Sequence, residues 1–146
     1  DWAYFPGFVP QTMLPLFYSG ADLFLFPSGA DTFGMSVLEA QACGLAAVVS
    51  DVGGTKEIIE DGLTGSIARY DDLGDWCDKV KSLLDLAKTD PPANRRLRDQ
   101  AVARVRERYD WNFVLDSLFQ QLSCASEEAA PESAEPAAPA LTSARA

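Results

Sequence analysis

Two kinds of apolar run alternate along the chain. Short unbroken runs, Leu23-Phe24-Leu25-Phe26 and Ala46-Ala47-Val48-Val49, lack the alternation of a half-exposed strand and predict parallel strands covered on both faces. Longer stretches carry apolar residues at helical spacing. Met13, Leu16 and Phe17 predict a short helix over about Thr12 to Ser19, with Pro15 tolerated in its first turn. Val37, Leu38 and Ala42 predict a helix that starts near Phe33-Gly34 and stops at Cys43-Gly44, where glycine permits a left-handed cap. Leu73, Trp76, Cys77, Val80, Leu83, Leu84 and Ala87 form one apolar stripe on a third helix. Pro91-Pro92 breaks that helix. A fourth, about Asn94 to Arg108, buries Leu97, Ala101 and Val105, and Asp110 caps a last one carrying Trp111, Val114, Leu115, Leu118, Phe119 and Leu122.

Shorter elements fill the gaps. Ala3 to Phe5 reads as the end of a strand broken by Pro6-Gly7, and Ser66 to Ala68 as a short last strand. Thr55 is placed to cap a short helix, Lys56 to Glu60, with Ile58 and Ile59 inward. Strands alternating with helices across short loops imply an α/β fold, a Rossmann-like parallel sheet flanked by helices, whose ligands bind at the carboxyl ends of the strands. Two glycine-containing loops, Ser28 to Thr32 and Val52 to Thr55, fall at such ends and should share one rim. This domain is expected to span residues 1–122. Residues 123–146 turn to Ala, Pro, Glu and Ser, and that composition predicts a disordered tail.

Charge and composition narrow the partners. The net charge of -10 over 146 residues argues against nucleic acid or an anionic membrane surface, both of which need a cationic face. Six arginines between Arg95 and Arg108 are interleaved with Asp99 and Glu107, which reads as a solvated charged face. No apolar run approaches the roughly 20 residues of a membrane span, and a cytoplasmic setting is expected. The chain has no histidine and three scattered cysteines, so no metal site is expected. Cys43 and Cys77 read as small core residues and Cys124 as exposed.

The candidate chemistry centres on Pro27 to Ser50. A helix starting at Phe33-Gly34 presents the free amides of Gly34, Met35 and Ser36 to the crevice, where its dipole favours an anion. Gly34 lets a diphosphate approach the backbone closely. Asp31 precedes this helix start and Glu39 lies a turn and a half inside. Carboxylates flanking a phosphate site suit hydroxyl-bearing groups, a ribose at one end and a hexose at the other. An acid at a helix start also occurs simply to complement the dipole, Glu39 fits an ordinary helix surface, and Gly53-Gly54 is first a turn signal.

The run FPGFVPQTMLPLFYSGADLFLFPSGADTFGMSVLEAQACGLAAVVSDVGGTKEIIEDGLTG resembles the C-terminal, donor-binding half of retaining GT-B-fold glycosyltransferases of the group 1, or family 4, type. The resemblance extends over roughly Phe5 to Leu122. The family pattern PS-x-x-E-x-FG-x-x-x-x-E-A sets two acids with seven residues between them, and Asp31 and Glu39 occupy those positions. The resemblance implies that Asp31, as the catalytic-site acid, contacts the donor sugar. It implies that Glu39 holds the nucleotide ribose, and that the amides of Phe33, Gly34 and Met35, with Ser36 beside them, meet sugar and diphosphate. Gly53, Gly54 and Glu57 match the family's GG-x-x-E element, with a supporting place on the rim.

Two departures stand out: the first acid is Asp rather than Glu, one methylene shorter, and Ala46 replaces a usual proline. The family also uses an N-terminal domain for the acceptor and an upstream Arg and Lys pair for the diphosphate, which Lys56 and Arg69 do not match. The expected function is therefore the donor-binding part of a hexosyltransferase, inactive by itself. No cofactor is implied beyond the nucleotide-diphosphate-sugar donor substrate, and the acceptor would be a sugar, lipid or other small molecule. A non-catalytic nucleotide-binding or interaction module, or a related epimerase or phosphorylase, are the alternatives.

Overall fold

A computed structural model describes residues 3–128, and of residues 121–128 the backbone alone. A first compact unit runs through Asp110 and a second begins at Trp111.

The first unit is built on three parallel strands in sequential order, β1 Phe24–Phe26, β2 Ala47–Ser50 and β3 Gly65–Ala68. Phe24 pairs with Ala47 and Phe26 with Val49, while Ala47 pairs with Gly65 and Ser50 with Ala68. The helix between β1 and β2 is α2, Met35–Ala42. Strand β2 is buried at all four positions, Ser50 included; its apolar residues Ala47 to Val49 demand this, since successive side chains must enter opposite layers. One layer joins Ala47 and Val49 with Val37 of α2 and with Ile58 and Ile59. The other joins Ala46, Val48 and Ala68 with Leu83 of α3, Leu73–Thr89, and Leu97 of α4, Pro91–Tyr109.

Both long helices begin where side-chain oxygens accept from otherwise unsatisfied amides. Asp72 accepts from the Asp75 amide at the start of α3, and Asp90 from the Ala93 amide at the start of α4. Asp90 separates the two helices, and Pro91 and Pro92 occupy the first turn of the second, where a missing N–H is harmless. The proline pair therefore ends one helix by starting the next, three residues earlier than spacing predicted.

Several expectations are corrected. Ala3 to Phe5 forms no strand; Tyr4 and Phe5 are exposed, and no neighbouring strand is present to pair with them among the described residues. The expected first helix is present, as a 3-10 turn, Gln11–Met13, continuing into α1, Leu14–Gly20. Strand β1 is not covered on both faces, because Leu25 is 48% exposed beside an apolar cavity of about 540 Å3 shared with Leu73, Trp76 and Val80. Thr55 caps nothing and lies within a 3-10 turn, Thr55–Glu57, although Ile58 and Ile59 do point inward. Cys43 is half-buried and Cys77 exposed, both as free thiols, so neither is a core residue.

In the second unit, α5 runs Trp111–Glu128, and its backbone continues helically into the segment expected to be a tail. Ala125, Glu127 and Glu128 are good helix formers, which favours the extension. The Cys124 side chain and residues 129–146 lie outside what is described.

Candidate functional site at the carboxyl rim of the sheet

The two glycine-containing loops meet backbone to backbone. The Gly54 amide donates to the Asp31 carbonyl at 3.0 Å. A Cβ on Gly53 would stand 2.6 Å from the same carbonyl oxygen, and one on Gly54 would overlap the Thr32 carbonyl. Only residues without a side chain permit this approach. Gly53-Gly54 is therefore more than a turn: it is the surface on which the Asp31 loop rests.

Gly34 is buried, left-handed at φ 87°, and serves as the N-cap of α2 without any side-chain cap. A Cβ there would meet Thr55 Cγ2 at 2.6 Å, so Gly34 is doubly required. An uncapped helix start leaves its first amides with no partner inside the helix and places the positive end of the dipole at the rim. Thr55 Oγ1, buried next to Gly34, has no hydrogen-bond partner.

The sequence-predicted residues fall in two places: Asp31, Phe33, Met35 and Ser36 next to this helix start, and Glu39 further along α2, against α1. Asp31 is half-buried, and its Oδ1 accepts from the Phe33 amide at 2.9 Å. This is a local Asx turn; it occupies both the Phe33 amide and one oxygen of the acid. Phe33 is exposed and its ring meets Tyr109 edge to face, with centroids 5.9 Å apart. Met35 is exposed and Ser36 half-buried on the first turn of α2. Glu39 is half-buried, turned toward a cavity of about 250 Å3 that Gln11, Leu14, Tyr18 and Cys43 also line. Tyr18 donates its hydroxyl to Glu39 Oε2 at 3.3 Å. Burial, reinforced by the Glu39 charge, pushes the Cys43 thiol above its ordinary value.

Groups that spacing did not single out hold the rim in place. Arg104 of α4 donates through Nε to the Ile58 carbonyl at 2.9 Å, through a second nitrogen to Glu60 at 3.0 Å, and through a third to the Glu57 carbonyl at 3.3 Å. Tyr109 also donates to the Glu57 carbonyl, at 3.4 Å. Glu57 itself is exposed, and its backbone rather than its carboxylate is what the fold grips. Arg98 donates to the Gly44 carbonyl at the end of α2. The arginine row is thus not solely a solvated face. Arg98 and Arg104 flank the stripe formed by Leu97, Ala101 and Val105, and that flanking position was the available signal. Gln41, fully buried in α2, donates to the Thr64 carbonyl at 2.6 Å and ties the helix to the turn before β3. A glutamine on the inward side of an apolar helix was its only mark in the sequence.

Two cations close in sequence to the rim already have acceptors. Lys56 donates to the Asp51 carbonyl at 3.0 Å, and Arg69 pairs with Asp72 at 2.7 Å. Among the described residues no cluster of acids and thiols could hold a metal ion, and no helix is long and apolar enough to cross a membrane.

This arrangement matches known proteins. The family model described as glycosyl transferases group 1 matches residues 2–104. The chain is 34% identical over 121 residues to D-inositol 3-phosphate glycosyltransferase of Mycolicibacterium smegmatis, covering 83% of this chain and 26% of that protein. The chain therefore spans about a quarter of that relative's length. Among solved structures, sucrose-phosphate synthase of Thermosynechococcus elongatus superposes with a TM-score of 0.70 at 27% identity, over 84% of this chain and 30% of that one. Anabaena HepE in complex with UDP superposes with a TM-score of 0.64 at 22% identity, over 78% and 30%, which speaks to the fold. Parallel strands, paired glycine loops and a family match over most of the sequence agree: the chain belongs to the group 1 glycosyl transferases and carries part of a GT-B fold.

Proposed function

We propose that this chain supplies the donor-binding rim of a retaining hexosyltransferase and holds a nucleotide-diphosphate sugar between Asp31 and Glu39. The observation that carries the reading is the uncapped start of α2 at Gly34, seated against the Gly53-Gly54 loop between the two acids. The amides of Gly34, Met35 and Ser36 receive the diphosphate, and the helix dipole adds to their attraction. Glu39 accepts from the ribose hydroxyls, and the supporting roles of Gly53, Gly54 and Glu57 are to fix the loop that carries Asp31. The UDP and UDP-glucose complexes of the structurally similar HepE favour a nucleotide of this class.

Asp31 serves as the catalytic-site acid by orienting the sugar and stabilising charge as the diphosphate leaves. To do so its carboxylate turns away from the Phe33 amide, which then becomes a donor to the ligand. The acceptor attacks from the face that the diphosphate leaves, so configuration at the anomeric carbon is retained. Lys56 is bonded to the Asp51 carbonyl and Arg69 to Asp72, so neither supplies the charge that the leaving diphosphate needs, and the chain binds the donor without turning it over. The free thiols of Cys43 and Cys77 suit a reducing, cytoplasmic setting.

The test is donor titration of the chain with UDP and UDP-glucose by calorimetry, wild type against Glu39→Ala. Binding that weakens at least about tenfold on substitution is expected, the scale for losing hydrogen bonds to a charged group. Unchanged affinity would remove the ribose assignment.

A further inference from the structure

We propose that Tyr18 is a positioning residue for nucleotide binding, its hydroxyl holding the Glu39 carboxylate in the orientation that accepts from two neighbouring ribose hydroxyls. The inference rests on the reading of Glu39 given above. Tyr18 sits on α1 and Glu39 on α2, so the bond between them joins two elements that are separate in the sequence. The Tyr18 ring is fixed independently, edge-on to Phe24 of β1 with centroids 5.7 Å apart.

The hydrogen-bond inventory of Glu39 fits such a role. A carboxylate has two oxygens with two acceptor positions each. Tyr18 takes one position on Oε2, and among the described residues no protein group donates to Oε1. One oxygen wholly free and the other half free is what a vicinal diol requires. Burial, followed by the Glu39 charge, raises the Tyr18 hydroxyl above its ordinary value, the direction that favours its donor form. At 3.3 Å the bond is longer than a settled hydroxyl-to-carboxylate contact of about 2.5–2.7 Å, leaving room to tighten when the carboxylate is drawn toward a ligand. The cavity beside them, lined also by Gln11 and Leu14, gives a nucleoside a place to enter.

The experiment is calorimetric titration of the whole chain and its Tyr18→Phe, Glu39→Ala and doubly substituted forms with UDP and with dideoxy-UDP, which lacks both ribose hydroxyls. Tyr18→Phe is expected to weaken UDP by about three- to tenfold, to leave the dideoxy nucleotide within about twofold, and to add nothing once Glu39 is alanine. Equal loss on both nucleotides, or additive losses in the double variant, overturns the proposal, because Tyr18 would then support the fold alone. A wild type that does not bind UDP, or a Glu39→Ala form that binds it unchanged, overturns the reading of Glu39 and this proposal with it. Phenylalanine keeps the ring against Phe24. Should that variant still lose its thermal transition, 3-fluorotyrosine at position 18 gives a second readout by fluorine NMR. A shift with UDP and none with the dideoxy form supports the role, and equal shifts refute it.

Discussion

Gly54→Ala isolates the close approach on which the rim depends. Gly54 has φ -83° and ψ -16°, a conformation alanine adopts freely, so no backbone strain enters and the whole effect is steric. A Cβ at this position would stand 2.7 Å from the Thr32 carbonyl carbon and 3.2 Å from the Phe33 amide nitrogen. The Thr32 carbonyl oxygen is nearer still than its carbon, so relieving the overlap requires the loops to part by more than about 1 Å. The Gly54 amide, now 3.0 Å from the Asp31 carbonyl, would move to about 4 Å, beyond hydrogen-bond range. Overpacking costs about 1–3 kcal/mol and the lost bond about 0.5–1.5 kcal/mol, giving about 2–4 kcal/mol against a total of about 5–15 kcal/mol for a domain. Urea unfolding followed by circular dichroism measures it, with Gly20→Ala as control because nothing lies within 4 Å of its Cβ. Donor affinity should fall with stability, since the same displacement moves Asp31. A loss below about 0.5 kcal/mol, no larger than an ordinary surface substitution, would show that the loops separate freely and that the contact positions nothing.

Arg104→Met keeps the length of the stem but removes the donors to the carbonyls of Glu57 and Ile58; a loss of about 1–3 kcal/mol in urea is expected, with little of it from the half-exposed Glu60 pair. A loss no greater than that of Glu60→Gln would assign the effect to the ion pair instead. The Arg69 amide holds the Asp75 carboxyl below its ordinary 3.8. Its folded form is thus the more acidic, so its contribution is present above about pH 4 and fades as pH falls through the folded value. Asp75→Asn should destabilise the chain near neutral pH, and the gap from wild type should narrow in urea unfolding below about pH 4; a gap constant with pH would contradict the assignment.

The sheet and its helices were legible because their signals are local. The consecutive apolar residues Ala46 to Val49 can be buried only between two layers, and the stripe from Leu73 to Ala87 announces one helix face. Legibility failed where a residue's state depends on something distant. Cys77 holds a stripe position yet is exposed, because α3 covers only part of the sheet near the open side of β1. Arg98, Arg104 and Gln41 looked ordinary because their acceptors are backbone carbonyls on other elements, and a carbonyl has no letter of its own.

The candidate site follows the same division. Its polar side chains, Asp31 and Glu39, are visible as an acid pair, but what the structure adds is mostly backbone. Gly34 turns left-handed, Gly53 and Gly54 admit the Asp31 and Thr32 carbonyls, and Arg104 grips the loop that follows. These contacts fix where the acids stand without naming a ligand. An anion at the start of α2 would meet amides held from three directions, by α2 itself, by the glycine pair and through α4. Pre-set donors of this kind lose little freedom on binding. On the proposed reading, substitutions at the glycines and at Arg104 change donor affinity by moving the rim, one at Glu39 by removing a contact, and one at Tyr18 by releasing Glu39. Only the last two should depend on whether the nucleotide carries its ribose hydroxyls.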